Sequence, residues 1–429
     1  MAVSPTESTV ATRPPTASAC PVDHGTGHHG YSPFDMDDPF EAYAKLRSEH
    51  PVMYDERIGY WVVSRWADVR AVFEDWETFS SENAQAPVRE RGREASRIMK
   101  EGGFTAYSGL SARVPPDHTR IRAIAQRAFT PRRFKALEPA IRENTRTALR
   151  AMLESPDRTG DFLMDVAYEI PTVTILTLLG VDPAMVPTYK RWSDSRAAMT
   201  WGDLSDDQQI PHAHNLVEYW QEMQRLVADA HERGGDDLVA DLVEAQDAGA
   251  EISDHEIASL CYSLLFAGHE TTTTLIANSI RVLLSHREAW DAIVADPARI
   301  PSAIDEVLRY SGSIVAWRRK ATRDAEIGGT PIPAGANILL LMGSANRDED
   351  VFAHPEQFDI DRTDARSHMS FGFGIHYCLG NMLAKLQDRI VLEETIAAVP
   401  SLRLADGPIG FRENLSFRVP TSVAVTWEA

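Results

Sequence analysis

Apolar residues recur at helical spacing through most of this 429-residue chain. Strand-like alternation is confined to short stretches. Residues 55–64 (DERIGYWVVS) read as a turn leading into a strand. Residues 327–342 hold strand-like runs broken by Gly-Gly and Pro-x-Pro-x-Gly, the pattern of a small sheet region. Residues 417–427 are expected to close the chain as a strand pair. Residues 113–150 read as one or two basic helices divided near Pro131. From Ser32 onward there is no linker-like stretch and no repeat of fixed period. The expected fold class is mainly α, an α-rich single domain with a small β region.

The longest predicted helix breaks the ordinary pattern. Ser253-Asp-His-Glu256 has the spacing of a capping box, and apolar periodicity then runs to about Leu284. At 1.5 Å per residue that is ~45–50 Å, enough to cross a domain. Its middle reads Ala267-Gly268-His269-Glu270-Thr271-Thr272-Thr273-Thr274. Gly weakens a helix, and Thr can bond back to the i−4 carbonyl and bend it. Taken alone, these residues would suit a solvated kink. Their flanks, Leu264, Leu265, Phe266, Leu275 and Ile276, place them in a core instead. Local rules broken inside a core element point to a site.

Composition narrows the class. Hydrophobic residues make up 43% and charged residues 25%, which excludes collagen, coiled coil and a wholly disordered chain. With 43 basic and 63 acidic residues the net charge is −20, unsuited to general nucleic-acid binding. No apolar run approaches the ~20 residues of a membrane helix. Residues 1–30 are rich in Pro, Ser, Thr and Gly and lack the apolar core of a signal peptide. The expectation is a disordered leader over 1–30 and a folded unit over 31–429, cytoplasmic, with no membrane or nucleic-acid partner. Cys20, His24, His28 and His29 in the leader could in principle hold a metal, but a flexible polar tail explains them more simply. The three cysteines, Cys20, Cys261 and Cys378, are far apart and indicate no disulfide framework.

The chemistry concentrates at Phe371-Gly-Phe-Gly374-Ile-His376-Tyr-Cys378-Leu-Gly380. A Gly-rich loop ends in a Cys where a helix is expected to begin, and the helix dipole and free N–H groups there favour a thiolate. Such a thiolate could be a nucleophile, a structural thiol or a metal ligand. His376 is near enough to act as a base, yet nothing else marks an acyl-transfer site. One Cys is too few for structural zinc. A single thiolate suits a haem iron, whose equatorial ligands come from the macrocycle. Gly374 and Gly380 would then let the backbone approach a flat ring. No Cys-x-x-Cys-His occurs, so such a haem would be held non-covalently.

This loop resembles the haem-binding loop of the cytochrome P450 monooxygenases. Four further motifs in the expected order resemble the same family: Ala267-Gly-x-Glu270-Thr271, Glu306-x-x-Arg309, His118-x-x-x-Arg122 and Arg319-x-x-Thr-x-Asp324. The resemblance runs from about residue 32 to the C-terminus. It is closest to actinobacterial enzymes that degrade thiocarbamates and aryl ethers, and residues 312–324 are similar to a group fused to its own reductase. This chain ends at Ala429 without a flavin domain or a Cys-x₄-Cys-x₂-Cys pattern, so separate electron donors are expected.

The resemblance implies a P450 fold, haem b as cofactor, and insertion of one oxygen atom from O2 into a small molecule. It implies Cys378 as the axial metal ligand, with Phe371, Gly374 and Gly380 shaping its loop. It assigns His118, Arg122, Arg319 and His376 to the two haem propionates. Thr271 would position oxygen and an ordered water, and Glu270 would relay protons. Glu306 and Arg309 would be a structural pair. The usual Pro-Glu-Arg-Phe reads Pro355-Glu-Gln-Phe358 here, so Gln357 cannot supply the arginine contact to Glu306, and Arg362 or a neighbour takes its place. Mapping the family's pocket onto the chain gives Phe266, Ala267, Ile314, Val315 and Phe417 as substrate-lining residues. Gly268 would add room above the iron, and Trp201 is a further candidate. No Arg or Lys falls in this lining, so a carboxylate substrate is not expected. An apolar, aromatic or thiocarbamate-like substrate is expected instead, hydroxylated beside N, O or S and thereby dealkylated. A peroxygenase using H2O2 and a haem-based gas sensor are the competing functions. The intact Glu270-Thr271 pair weighs against the first, and the want of an output domain against the second. Electrons are expected from NAD(P)H through a ferredoxin reductase and an acidic ferredoxin. The ferredoxin would dock on residues 113–150, where ten basic residues face three acidic ones.

Overall fold

The protein is described by a computed structural model that covers residues 30–107 and 109–428. The expected leader, with Cys20, His24, His28 and His29, lies outside the described residues apart from Gly30.

The helix Asp254–Ser285 is the axis of the molecule. Both halves of its capping box form: the Ser253 side chain accepts from the Glu256 amide, and Glu256 Oε2 accepts from the Ser253 amide at 3.0 Å. Its first half, including Ile257, Leu260 and Leu265, packs with Trp220 and Met223 of Asp206–Arg233 and Trp192 of Val186–Trp201. Its second half, including Leu275, Ile280 and Leu283, packs with Pro131–Leu153, Ile300–Ser311 and Asn381–Ala398. The polar middle lies between these two cores. There Thr271 Oγ1 donates to Ala267 O at 2.9 Å and Thr274 Oγ1 to Glu270 O at 2.8 Å. These bonds satisfy hydroxyls that core packing would otherwise strand.

The basic stretch forms two helices, Asp117–Ala128 and Pro131–Leu153. Pro131 sits in the first turn of the second, where its missing N–H costs nothing, and Thr130 caps it. The main sheet has five strands in the order Val52–Asp55, Tyr60–Val63, Asn337–Leu340, Trp317–Ala321, Phe79–Ser80. Tyr60–Val63 and Asn337–Leu340 run parallel, and the other pairings are antiparallel.

The end of the chain departs from expectation. Residues 417–427 do not pair with each other as two strands. Ala424–Thr426 instead joins Thr159–Asp161 and Arg403–Leu404, and Phe417 forms a lone bridge to Ile314. Alternation identifies a strand but not a partner drawn from 260 residues away. Among the described residues, no helix is long and apolar enough to cross a membrane.

Candidate active site

One cavity brings the separate motifs together. The Cys loop lines it with Phe371, Gly372, His376, Cys378, Leu379 and Gly380. Facing these is the middle of the long helix, with Phe266, Ala267, Gly268, Thr271 and Thr272. Arg122, Arg319, Ile314 and Phe417 complete the predicted residues in its wall.

The Cys loop is held by its own backbone. The Cys378 amide donates to Phe371 O at 2.9 Å, and the helix Asn381–Ala398 starts three residues on. Burial raises the thiol above its ordinary value. The Gly380 and Asn381 amides and the Arg122 guanidinium pull it the other way. A metal cation at the sulfur would complete that reversal, because a coordinated thiol is deprotonated outright. An added Cβ at Gly380 would meet open space, which leaves room beside the sulfur for a flat ring. Gly374 has another reason. Its φ is +68°, and an added Cβ would lie 2.8 Å from Phe73 O, so it fits the loop against the helix Trp66–Glu74 rather than against a ring.

One corner of the site is cationic. The His118 and His376 rings lie 4.3 Å apart, and among the described residues neither nitrogen of buried His118 has a partner. Burial lowers His118 to about 4, helped by Arg122. It lowers His376 to about 2, helped by Arg319, His118 and Arg122. Arg319 is fully buried, and among the described residues its guanidinium donates only to the carbonyl of Arg318. Burial alone lowers it to about 9. Arg122 donates to Tyr377 O at 2.7 Å. Two arginines and two histidines with no acid among them fit the two propionates of a haem. Arg318, the neighbour of Arg319, points to the opposite face of the strand and donates to Ala84 O and Ala86 O.

Glu270 turns away from the cavity. Its Oε1 lies 2.9 Å from His269 Nε2 and 3.6 Å from Lys190 Nζ. Burial opposes its ionisation, but Lys190 and His269 outweigh that and hold it well below the usual carboxylate range. Lys190 is itself buried over the Tyr168 ring, and among the described residues its ammonium has no hydrogen-bond partner. Beyond it, half-exposed Asp194 lies 3.9 Å from Arg412. Thr271 faces the cavity from the adjacent position.

Glu306 and Arg309 form a fully buried bidentate pair at 2.7 and 2.8 Å. Arg309 also donates to Asn346 O, Pro355 O and Gln357 O. Arg362 Nε reaches Glu306 at 3.3 Å and supplies the contact that Gln357 cannot.

Several expectations are corrected. Val315 is buried against Gly343 and is absent from the cavity wall, because neighbouring residues of an extended segment face opposite sides. Gly268 does line the cavity, but an added Cβ would also lie 2.8 Å from Ile175, so it admits a crossing helix as well as a ligand. Trp201 stands one layer back, stacked on Phe266 at 5.3 Å and edge-on to Phe417 at 4.8 Å. The lining is not free of cations, for Arg196 is in it. Gln85, Ser111, Leu260, Ser263 and Trp317 were also missed. The aromatic and aliphatic ones carry no signal beyond ordinary core patterning. The basic stretch is largely neutralised: Arg113, Arg120, Arg133, Arg142, Arg146 and Arg150 each pair with an acid of the protein itself.

Comparison with known proteins identifies the family. The model of the cytochrome P450 family matches residues 300–398. The erythromycin C-12 hydroxylase of Saccharopolyspora erythraea is 36% identical over 357 residues, 82% of this chain and 85% of that protein. A solved structure of cytochrome P450 CREJ in complex with (4-ethylphenyl) dihydrogen phosphate is 70% identical, with a TM-score of 0.92, over 93% of this chain and 100% of that one. Full-length CYP116B46 from Tepidiphilus thermophilus is 30% identical with a TM-score of 0.89, over 92% of this chain and 53% of that one. The chain belongs to the cytochrome P450 family. It is a monooxygenase, an oxidoreductase whose cofactor is haem b.

Proposed function

We propose that this protein hydroxylates an alkyl or alkoxy carbon carried by a small aryl ring. The observation that supports this best is the cavity wall of Phe266, Phe417, Trp317, Leu260, Leu264 and Ile314 beside the Cys378 loop. Flat aromatic and aliphatic walls suit a compact aromatic ligand. The similarity to a P450 solved with (4-ethylphenyl) dihydrogen phosphate supports a para-substituted phenyl ligand. Oxidation of a carbon beside N, O or S gives an unstable product that releases an aldehyde, so alkoxyaryl substrates would be dealkylated.

In this reading Cys378 ligates the haem iron, and Arg122, Arg319, His118 and His376 bind its propionates. When bound, the haem supplies oxygen binding and reductive activation. The rest falls to the protein. The aromatic wall orients the target carbon and excludes water. Thr271 holds a water in the cavity by its hydroxyl. Glu270 takes protons from the Lys190 and Asp194 side and delivers them towards Thr271 when its carboxyl swings round. The overall balance consumes O2, two electrons and two protons per substrate and releases one water. Electrons come from NAD(P)H through a reductase and an acidic ferredoxin, which docks near the Cys loop.

The test is a titration of the haem-loaded protein with 4-ethylphenyl phosphate, 4-ethylphenol and 4-methoxyphenol. A spin-state shift of the Soret band and hydroxylated product or formaldehyde are expected. Thr271→Ala should keep binding and cut product per NAD(P)H at least ~10-fold. Binding of a macrolide or fatty acid with no response to any aryl compound would reject the substrate class.

A further inference from the structure

Arg196 is a buried cation for which the protein offers no acid. It belongs to the helix Val186–Trp201, is 4% exposed and lines the cavity. Its guanidinium donates to Tyr262 O at 2.6 Å and to Gln85 Oε1 at 3.2 Å. It packs over the rings of Tyr262 at 4.3 Å and Phe266 at 5.0 Å. Among the described residues, no carboxylate lies within 4.0 Å of it. Ring faces and one carbonyl offset part of the desolvation of a charge, but a buried charge ordinarily has a counter-ion.

The haem does not account for it. Two propionates are matched by Arg122 and Arg319 with His118 and His376, which perturb one another. Arg196 sits elsewhere, on the wall shared with Phe266 and Tyr262 of the long helix. Around it the otherwise apolar cavity turns polar. Gln85 is clamped between Arg196 and Ser111, to whose Oγ it donates at 3.0 Å. Ser263 Oγ is buried in the same wall with no partner among the described residues. A guanidinium has five N–H donors in a planar fork matched to oxyanions. Two of the Arg196 donors are used by the protein.

We infer that Arg196, held by Gln85 and Tyr262 O and aided by Ser263, is an anion anchor that makes the enzyme select aryl substrates carrying an oxyanion, a phosphate monoester foremost. This rests on the aryl reading above and adds the requirement for charge. The spacing suits it. Phe266, beneath the guanidinium, precedes Thr271 by five residues, about 7.5 Å along the helix. That is about the span of a phenyl ring with a short substituent, so a head held at Arg196 presents its para carbon near Thr271. The anion brings two negative charges above pH ~6 and three acceptor oxygens. The unesterified phenol would leave the cation unmatched, which is how a polar site rejects an analogue that lacks its partner.

The experiment compares 4-ethylphenyl phosphate, 4-ethylphenol and inorganic phosphate by Soret titration of the haem-loaded protein at pH 8. The wild type should bind the ester at least ~100-fold more tightly than the phenol, as one buried charge pair can supply. Inorganic phosphate should compete weakly with the ester and not with the phenol. Arg196→Met should remove the preference, weakening the ester while the phenol binds at least as tightly as before, with the reduced CO spectrum that of the wild type. Arg196→Lys, which keeps the charge without the fork, should retain part of it. Equal affinity for ester and phenol in the wild type, or an undiminished preference in Arg196→Met, overturns the anchor while the aryl reading stands. A wild type that responds to neither aryl compound overturns both.

Discussion

Arginine is buried in two ways in this molecule. Below the Cys loop, Arg309 meets Glu306 through two parallel hydrogen bonds, with Arg362 alongside and three carbonyls taking its other donors. In the cavity wall, Arg319 and Arg196 meet rings and carbonyls but no acid. A compensated cation ties loops together and needs nothing more. An uncompensated cation is a cost carried by the empty protein that a bound anion repays. Missing counter-charge therefore marks a binding candidate only in the cavity wall, for Arg318 is as deeply buried without an acid but gives its donors to Ala84 O and Ala86 O outside that wall.

The comparison is broken most sharply by removing one member of each class. Arg309→Leu leaves Glu306 buried with only Arg362 nearby and should cost about 3–5 kcal/mol in unfolding free energy, with or without haem. Arg319→Leu should leave the haem-free protein at least as stable as before, because it deletes a buried charge that lacked a partner. Its loss should appear instead as faster transfer of haem to an acceptor globin. Chemical denaturation of both variants in both forms measures this. Equal destabilisation of the two haem-free variants would refute the division.

Asp388 is the acidic counterpart and lies in the core. It is fully buried, Ser279 Oγ donates to it at 2.7 Å, and its other oxygen has no partner. Burial pushes it up to about 7. The unfolded carboxyl titrates near ~3.9. The folded state thus binds the extra proton between these values, so this group's contribution is fully present below about pH 4 and is lost as pH rises through about 7. Asp388→Asn should remove that loss and stabilise the protein at pH 8 by roughly 2–4 kcal/mol relative to its effect at pH 5. Denaturation of the pair at both pH values checks it. A difference that does not change with pH would mean that Asp388 is charged throughout.

The same distinction explains what could be read from the chain. Spacing within one element survives translation into structure: the 371–380 loop, the Glu306 and Arg309 face, and the capping box at Ser253 are each set by neighbours a few residues apart. That Arg318 and Arg319 face opposite ways was likewise legible, since adjacent strand residues alternate. What could not be read is contact between distant segments. Arg196 meets Gln85 across 111 residues and Tyr262 across 66. In sequence it is an Arg on an ordinary amphipathic helix, and only the fold reveals that no acid reaches it. The charge excess of 113–150 is smaller in the fold than in the sequence for the same reason. Its acids come from elsewhere, as when Glu393 and Glu394 meet Arg142.

The smallest effect concerns the cations that remain exposed. Within 113–150, Arg127, Arg132 and Lys135 have no acid within 4.0 Å among the described residues. Lys135 borders a groove with Met382 whose other cations, Arg366, Lys385 and Arg389, are already paired with Asp305, Glu138 and Glu393. Exposed Tyr377 and Met382 offer apolar surface there. In water an unpaired surface charge costs the protein almost nothing, unlike Arg196, so its removal should not alter stability by more than about 0.5 kcal/mol. Its value lies in steering. An acidic electron donor would be drawn to this patch, with a rate that falls as salt screens the charges. Reversing Arg132 and Lys135 to Glu should slow first-electron transfer from an acidic ferredoxin by about 10-fold at low ionic strength. The deficit should shrink to under about 3-fold near 0.5 M salt, where the Debye length falls towards 3 Å. Arg133→Glu, whose cation is already paired with Asp241 at 2.5 Å, should act through lost stability rather than through the rate. Stopped-flow reduction under CO resolves the two. Reduction that ignores both salt and the double reversal would place the donor on another face, and equal slowing by Arg133→Glu would mean that pairing does not remove a cation from the docking field.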